Sequence, residues 1–166
     1  PGHLGHISLS SIVALKPEKI CVLVDEFGDS WLSEYTETTN SEVCKHTITD
    51  ENNWILSEFT SQEGFENFGS DKFFRLMFLK WIILTECLDE TLLGSFVIFS
   101  DLDVFWNKTP FPLKELFLDP KKVFAMQDDS TPKREFYCPG IMVWKNDERS
   151  KNVLQSIRDF HLEAFQ

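Results

Sequence analysis

The feature that most constrains this chain is a short apolar run ending abruptly in acid: Ser95-Phe96-Val97-Ile98-Phe99-Ser100-Asp101-Leu102-Asp103-Val104-Phe105-Trp106. Phe96 to Phe99 read as a strand buried on both faces, as in a parallel sheet covered by helices. In α/β sheets, ligands collect beyond the carboxyl ends of the strands, and that is where Asp101 and Asp103 fall. If the chain stays extended, side-chain alternation points both carboxylates to one side. Carboxylates withdrawn from water need a partner, and a hard divalent cation with oxygen ligands suits them.

The rest of the chain supports an α/β class. Ile7, Leu9, Ile12, Val13 and Leu15 predict a short helix stopped near Lys16-Pro17, and Ile20 to Val24 a strand. Asp29 to Asn53 is polar, with at most a short strand around Val43 to Ile48, and Trp54 to Phe68 reads as loop with a helical turn. Ser70 or Asp71 would cap a helix running to about Leu88, apolar on most of its circumference and so heavily buried. After Phe96 to Phe99 come a helical turn over Leu113 to Leu118 and strands over Val123 to Met126 and Ile141 to Trp144. Thr131 to Tyr137 reads as loop. Val153, Leu154, Ile157, Phe160 and Ala164 predict an amphipathic last helix.

With 166 residues, 42% of them hydrophobic and 16 of them Phe, the chain supports one cored domain over 1–166. A net charge of -11 argues against a nucleic-acid or anionic-membrane surface. It leaves room for an anionic small substrate neutralised by a metal and a few local cations. Cys21, Cys44, Cys87 and Cys138 form no C-x-x-C pair, which disfavours a zinc ribbon or a thioredoxin-type motif. They read as scattered core thiols, with one or two disulfides open in an oxidising compartment. The most apolar window, Phe73 to Leu84, is too short to span a membrane and carries Arg75 and Lys80. A membrane anchor outside the given residues stays open. The sequon Asn107-Lys108-Thr109 is followed by Pro110 and adjoins the acidic pair, so we expect it to be unused.

A lone D-x-D is weak evidence, since twelve Asp in 166 positions make about one such pair expected by chance. The apolar strand before it and Phe105-Trp106 after it raise its weight. The plain alternative is a solvated turn at a strand end.

Phe73 to Pro112 resembles the nucleotide-diphospho-sugar transferases of the GT-A fold. The pattern is a Lys-bearing helix (Lys80), a strand, then S-D-x-D-V-x-W (Ser100 to Trp106) and a Pro shortly after (Pro110). The likeness continues through Val123 to Asp129 and into Pro139-Gly140-Ile141-Met142-Val143-Trp144, and more loosely covers Ser8 to Val24. It implies a Rossmann-like, mixed and mostly parallel sheet flanked by helices. It also implies transfer of a sugar from a nucleotide-sugar donor to a hydroxyl of a glycan, protein or lipid. Asp101 and Asp103 would hold Mn²⁺ or Mg²⁺ against the donor diphosphate. Ser100, Lys80, Asp128, Asp129 and Gly140 would line the donor site, Gly140 through a turn that brings backbone close to ligand. Lys80 reads alternatively as a lysine snorkelling from a buried helix, and Asp128-Asp129 as a solvated loop. Arg75 suits a structural ion pair. Cys138-Pro139 stands where the family usually carries Asn-Thr, so an amide that would bond the donor sugar is missing.

His161, the only His downstream of the acidic pair, is expected to be packed or exposed rather than a third metal ligand. Both ends look short against the family, so a truncated or inactive sugar-nucleotide-binding domain is the first alternative function. A haloacid-dehalogenase-like phosphatase is the second, with Asp101 as nucleophile and Asp103 as acid/base. About 100 residues precede the motif and 24 separate Asp103 from Asp128, which fits that fold poorly. Compartment would follow the host: Golgi lumen for a eukaryotic chain, cytoplasm for a bacterial one.

Overall fold

A computed structural model describes residues 2–15, 17, 19–24, 32, 42–47, 71–101, 103–107 and 113–164. In chain order its elements are helix α1 (Gly2–Ala14), strands β1 (Lys19–Val24) and β2 (Glu42–Thr47), helix α2 (Asp71–Glu90) and strand β3 (Phe96–Ser100). The single-turn helix α3 (Leu113–Leu116), strands β4 (Phe124–Asp128) and β5 (Tyr137–Lys145) and helix α4 (Glu148–Ala164) follow. The chain forms two compact units, Pro1–Glu18 with Cys87–Val153, and Lys19–Glu86 with Leu154–Gln166. No described helix is long and apolar enough to cross a membrane. The loop expected over Trp54 to Phe68 lies outside the described residues.

In the unit built on Lys19–Glu86, β1 and β2 pair in parallel, in register from Lys19↔Glu42 to Val24↔Thr47. Ile20 and Val22 are buried, as are Phe78, Leu79, Ile82 and Ile83 of α2. The last four recur at helical spacing and give α2 its inward stripe. His161 of α4 lies 6.0 Å from the Phe78 ring and 6.3 Å from that of Trp81. Burial pulls its pKa below the ordinary imidazole value. It is half-buried against these two rings, one of the two outcomes expected for it.

The other unit carries an antiparallel sheet in the order β3-β5-β4. Met142, Val143 and Trp144 of β5 are all buried. Consecutive strand residues face opposite sides, so β5 is covered on both faces. Trp144 stacks on its cross-strand partner Phe124 at 4.5 Å, a pairing of the kind that stabilises sheets.

Two sequence expectations change here. The strand buried on both faces is β5, not Phe96 to Phe99. β3 is antiparallel to β5 and flanks it on one side only, and Ile98 is 39% exposed. A four-residue apolar run cannot by itself distinguish a flanking strand from a central one. The sheet is also not mostly parallel among the described residues: β1·β2 is parallel, whereas β3·β5 and β4·β5 are antiparallel. β4 and β5 follow each other without the intervening helix that a parallel crossover requires.

Asn146, directly after β5 and buried, ties the start of β3 to the end of α2. Its Nδ2 donates to the carbonyl oxygens of Leu88 (2.8 Å), Thr91 (2.9 Å) and Leu92 (3.3 Å) and to Thr91 Oγ1 (3.1 Å). Carbonyls in the last turn of a helix have no intrahelical partner, and this amide serves in their place. The Asn146 backbone donates to Ser95 and accepts from Gly94, both at 2.8 Å. Gly94 has φ +87°, and Ser95 N donates to Leu92 O at 3.0 Å. A turn needing positive φ at its third residue takes Gly there. Asp147 then caps α4, its Oδ1 accepting from Ser150 N at 3.0 Å.

Replacing Asn146 with Ala takes its amide from the Thr91 carbonyl, while Leu88 O and Leu92 O keep Thr91 Oγ1 and Ser95 N as donors. It should cost about 1–2 kcal/mol, read as a lower urea midpoint at unchanged slope. Asn146→Asp, which keeps the shape but presents no donor to the carbonyls, should be no better.

Candidate functional site

The acidic motif begins where β3 stops. Ser100 is the last ladder residue, opposite Ile141. The chain then turns rather than staying extended: Val104 N donates to Asp101 O at 3.2 Å. The condition for both carboxylates to share one strand face is therefore not met. Asp101 is half-buried and Asp103 exposed.

The motif's remaining residues hold this turn. Trp106 is 7% exposed, whereas its neighbour Phe105 is 64% exposed. The Trp106 indole N–H donates to Ser100 Oγ at 3.0 Å, and that hydroxyl donates to Asp101 O at 3.1 Å. Helix α1 secures the far side. Ser8 Oγ donates to Val104 O at 2.7 Å, Trp106 N donates to Ser11 Oγ at 2.9 Å, and Ser11 Oγ donates to Ser8 O at 2.6 Å. Ser8 and Ser11 are buried and three residues apart, hence on one helix face. Sequence reading missed them. The available signal was two small hydroxyls on the inner face of a short apolar helix.

Gly140 lies beneath Asp101. Asp101 N donates to Gly140 O at 2.9 Å. A Cβ on Gly140 would stand 3.2 Å from Asp101 Oδ2 and 3.4 Å from Cys138 Sγ. Gly140 is inside β5, not in a turn, which corrects the sequence expectation. Its closeness to the carboxylate follows from the β3·β5 register, since Ser100 pairs with Ile141 and Asp101 comes next. On its other side β5 is irregular against β4. Met126 pairs with Met142, but the next β4 residue, Gln127, pairs with Cys138. Pro139 has no N–H to give the ladder, and it falls with Gly140 and Ile141 inside this register shift. Bulges of this kind commonly re-aim groups beside functional sites.

Asp128 and Asp129 come at the same end of this sheet, since Asp128 pairs with Tyr137. Asp128 is fully exposed, and the Ser130 hydroxyl and then the Ser130 amide hold its carboxyl below the ordinary value. Asp129 Oδ1 accepts from Gln127 Nε2 at 2.7 Å. The structure thus brings Ser100, Asp101, Asp103, Asp128, Asp129 and Gly140 to one end of one sheet. Lys80 belongs to the other unit, half-buried on α2. Among the described residues no group of three or more His, Cys, Asp or Glu is placed to hold a metal.

The Ser100–Trp106 bond makes a measurable claim. A double-mutant cycle of Ser100→Ala and Trp106→Phe should show a coupling of about 1 kcal/mol in urea unfolding. Additivity within about 0.3 kcal/mol would mean that the hydroxyl does not hold the indole.

Neither curated proteins nor solved structures returned a match. The profile of the nucleotide-diphospho-sugar transferases matches residues 35–164, which takes in the acidic turn, the bulged strand and the last helix. The chain belongs to the nucleotide-diphospho-sugar transferase family.

Proposed function

We propose that this chain is a metal-dependent glycosyltransferase, moving a sugar from a nucleoside-diphosphate donor to a hydroxyl of a glycan, protein or lipid. Family membership supports the reaction class. The observation that carries the site is the Asp101 carboxylate resting against Gly140 in a turn fixed by Ser100, Trp106 and α1. The end of the three-stranded sheet would then be the donor end of a GT-A-like, Rossmann-related domain.

Two carboxylates fit Mn²⁺ or Mg²⁺ when the donor itself supplies oxygens. Ions of this kind are often held by one or two protein carboxylates together with substrate phosphates and water. Asp101 and Asp103 would hold the ion, which when bound offsets the charge developing on the departing nucleoside diphosphate. The protein's own part is positioning. The half-buried Asp101 would give a fixed ligand and the exposed Asp103 an adjustable one. Asp128, kept ionised by Ser130, and Asp129, oriented by Gln127, would accept hydrogen bonds from sugar hydroxyls. Ser100 would act through the turn that it shapes.

A second reading, donor binding without turnover, is favoured by Cys138. Its thiol lies beside Gly140 where the family usually presents an amide, and a thiol is a weak donor. Formation of a glycosylated product, or release of free sugar from the donor, separates the two readings.

Calorimetry with a nucleoside diphosphate should show binding that depends on Mn²⁺ in the native chain and is lost in Asp101→Asn/Asp103→Asn. Equal binding by both proteins would sink the metal-site assignment. Gly140→Ala, which pushes on Asp101 Oδ2, should weaken that binding roughly tenfold, the scale seen when groups that orient metal ligands are altered. An unchanged affinity would show that Asp101 has room to move aside.

A further inference from the structure

The sequence leaves open whether any of the four cysteines pair. The structure separates them. Cys87 is buried on α2, and Cys138 lies against Gly140 in the antiparallel sheet. Cys21 and Cys44 are direct partners across β1 and β2, at the third rung of the parallel ladder. Partner residues on neighbouring strands present their side chains to the same face. Adjacent strands run about 4.7–4.9 Å apart, inside the Cα separation of about 4.4–6.8 Å that a disulfide bridges. Both are thiols in the structure, and both are half-buried rather than sealed off. The Cys44 thiol donates towards Glu42 Oε1 at 3.5 Å. Lys19, the partner of Glu42 two rungs away and so on the same face, reaches that carboxylate at 3.8 Å. Burial pushes the Cys44 thiol above its ordinary value, and the nearby Lys19 opposes that rise only in part, so register and exposure are what single out this pair.

We propose that Cys21 and Cys44 are a disulfide-forming pair that locks β2 to β1 in its parallel register. The oxidant is a low-molecular-weight disulfide. One cysteine thiolate attacks a sulfur of that oxidant, forming a mixed disulfide and releasing the first reduced thiol. The second thiolate attacks the protein sulfur of the mixed disulfide, closing the Cys21–Cys44 bond and releasing the second reduced thiol. Two electrons pass to the oxidant, and the two cysteine protons end on the released thiols. The gain is physical. A two-stranded pair is marginal by itself, and parallel strands must close a long connection before their pairing contributes anything. A bond between residues 21 and 44 removes that closure cost from the unfolded chain.

The test is incubation of the full chain with oxidised glutathione, alkylation of remaining thiols, proteolysis without reduction, and mass spectrometry. The expected result is a linked peptide pair containing Cys21 and Cys44, with Cys87 alkylated only after unfolding. The oxidised chain should melt several degrees above the reduced one. Cys21→Ser and Cys44→Ser should each abolish that difference, and Cys138→Ser should keep it. The proposal is overturned if Cys21 and Cys44 stay alkylatable in the folded oxidised protein, carry glutathione only, or link to Cys87 or Cys138. The wild-type peptide map decides this even if a serine variant folds poorly.

Discussion

One side-chain amide holds the antiparallel unit together at its closed end. Asn146 presents its donors to the carbonyls of Leu88, in the last turn of α2, and of Thr91 just beyond it, while its backbone bridges Gly94 and Ser95. Without it the end of a buried helix and the start of β3 would both carry unmatched polar groups, a cost that apolar packing does not offset. The central strand β5 ends against this knot, and its buried Met142, Val143 and Trp144 carry the order along the sheet. The open end, where the acidic residues gather, is thus the far end of a strand anchored at its base.

At the open end the order is kept by hydroxyls rather than by apolar packing alone. Ser100 links the Trp106 indole to the Asp101 carbonyl, and Ser8 and Ser11 fasten the following residues to α1. The S-D-x-D-V-x-W pattern has a physical meaning in these terms. Its serine and tryptophan shape the turn, the valine lends its carbonyl, and Asp101 lies against Gly140 while Asp103 is exposed. A stretch in which turn-shaping and acidic residues alternate so closely is hard to partition by reading alone.

Much of the secondary structure was legible because its signals are local. The helix expected from Ser70 or Asp71 to Leu88 appears as Asp71–Glu90, and the short strand proposed near Val43 appears as Glu42–Thr47. The amphipathic last helix and the stop near Pro17 follow from periodicity and proline chemistry. Strand neighbours were not legible. Nothing in Phe96 to Phe99 reveals that its partner is β5 and runs antiparallel, because pairing depends on residues some 45 positions away. The relation of Gly140 to Asp101 was hidden for the same reason. Pro139-Gly140 reads as a turn, and only the three-stranded context makes it a bulge. The family likeness located the acidic residues, while the means by which they are held came from the geometry.

The bulge in β5 also separates two kinds of change. Below it, β5 stays in step with β3, so Asp101 and Gly140 keep their spacing whenever Ile141 stays opposite Ser100. Above it, the arm carrying Asp128, Asp129, Thr131, Arg134 and Tyr137 is, among the described residues, paired with itself. Insertions or exchanges in that arm are absorbed at Pro139 before they reach the Asp101 turn. A lineage built on this strand can therefore revise one set of contacts while the other stays fixed, and diversify by editing a single hairpin.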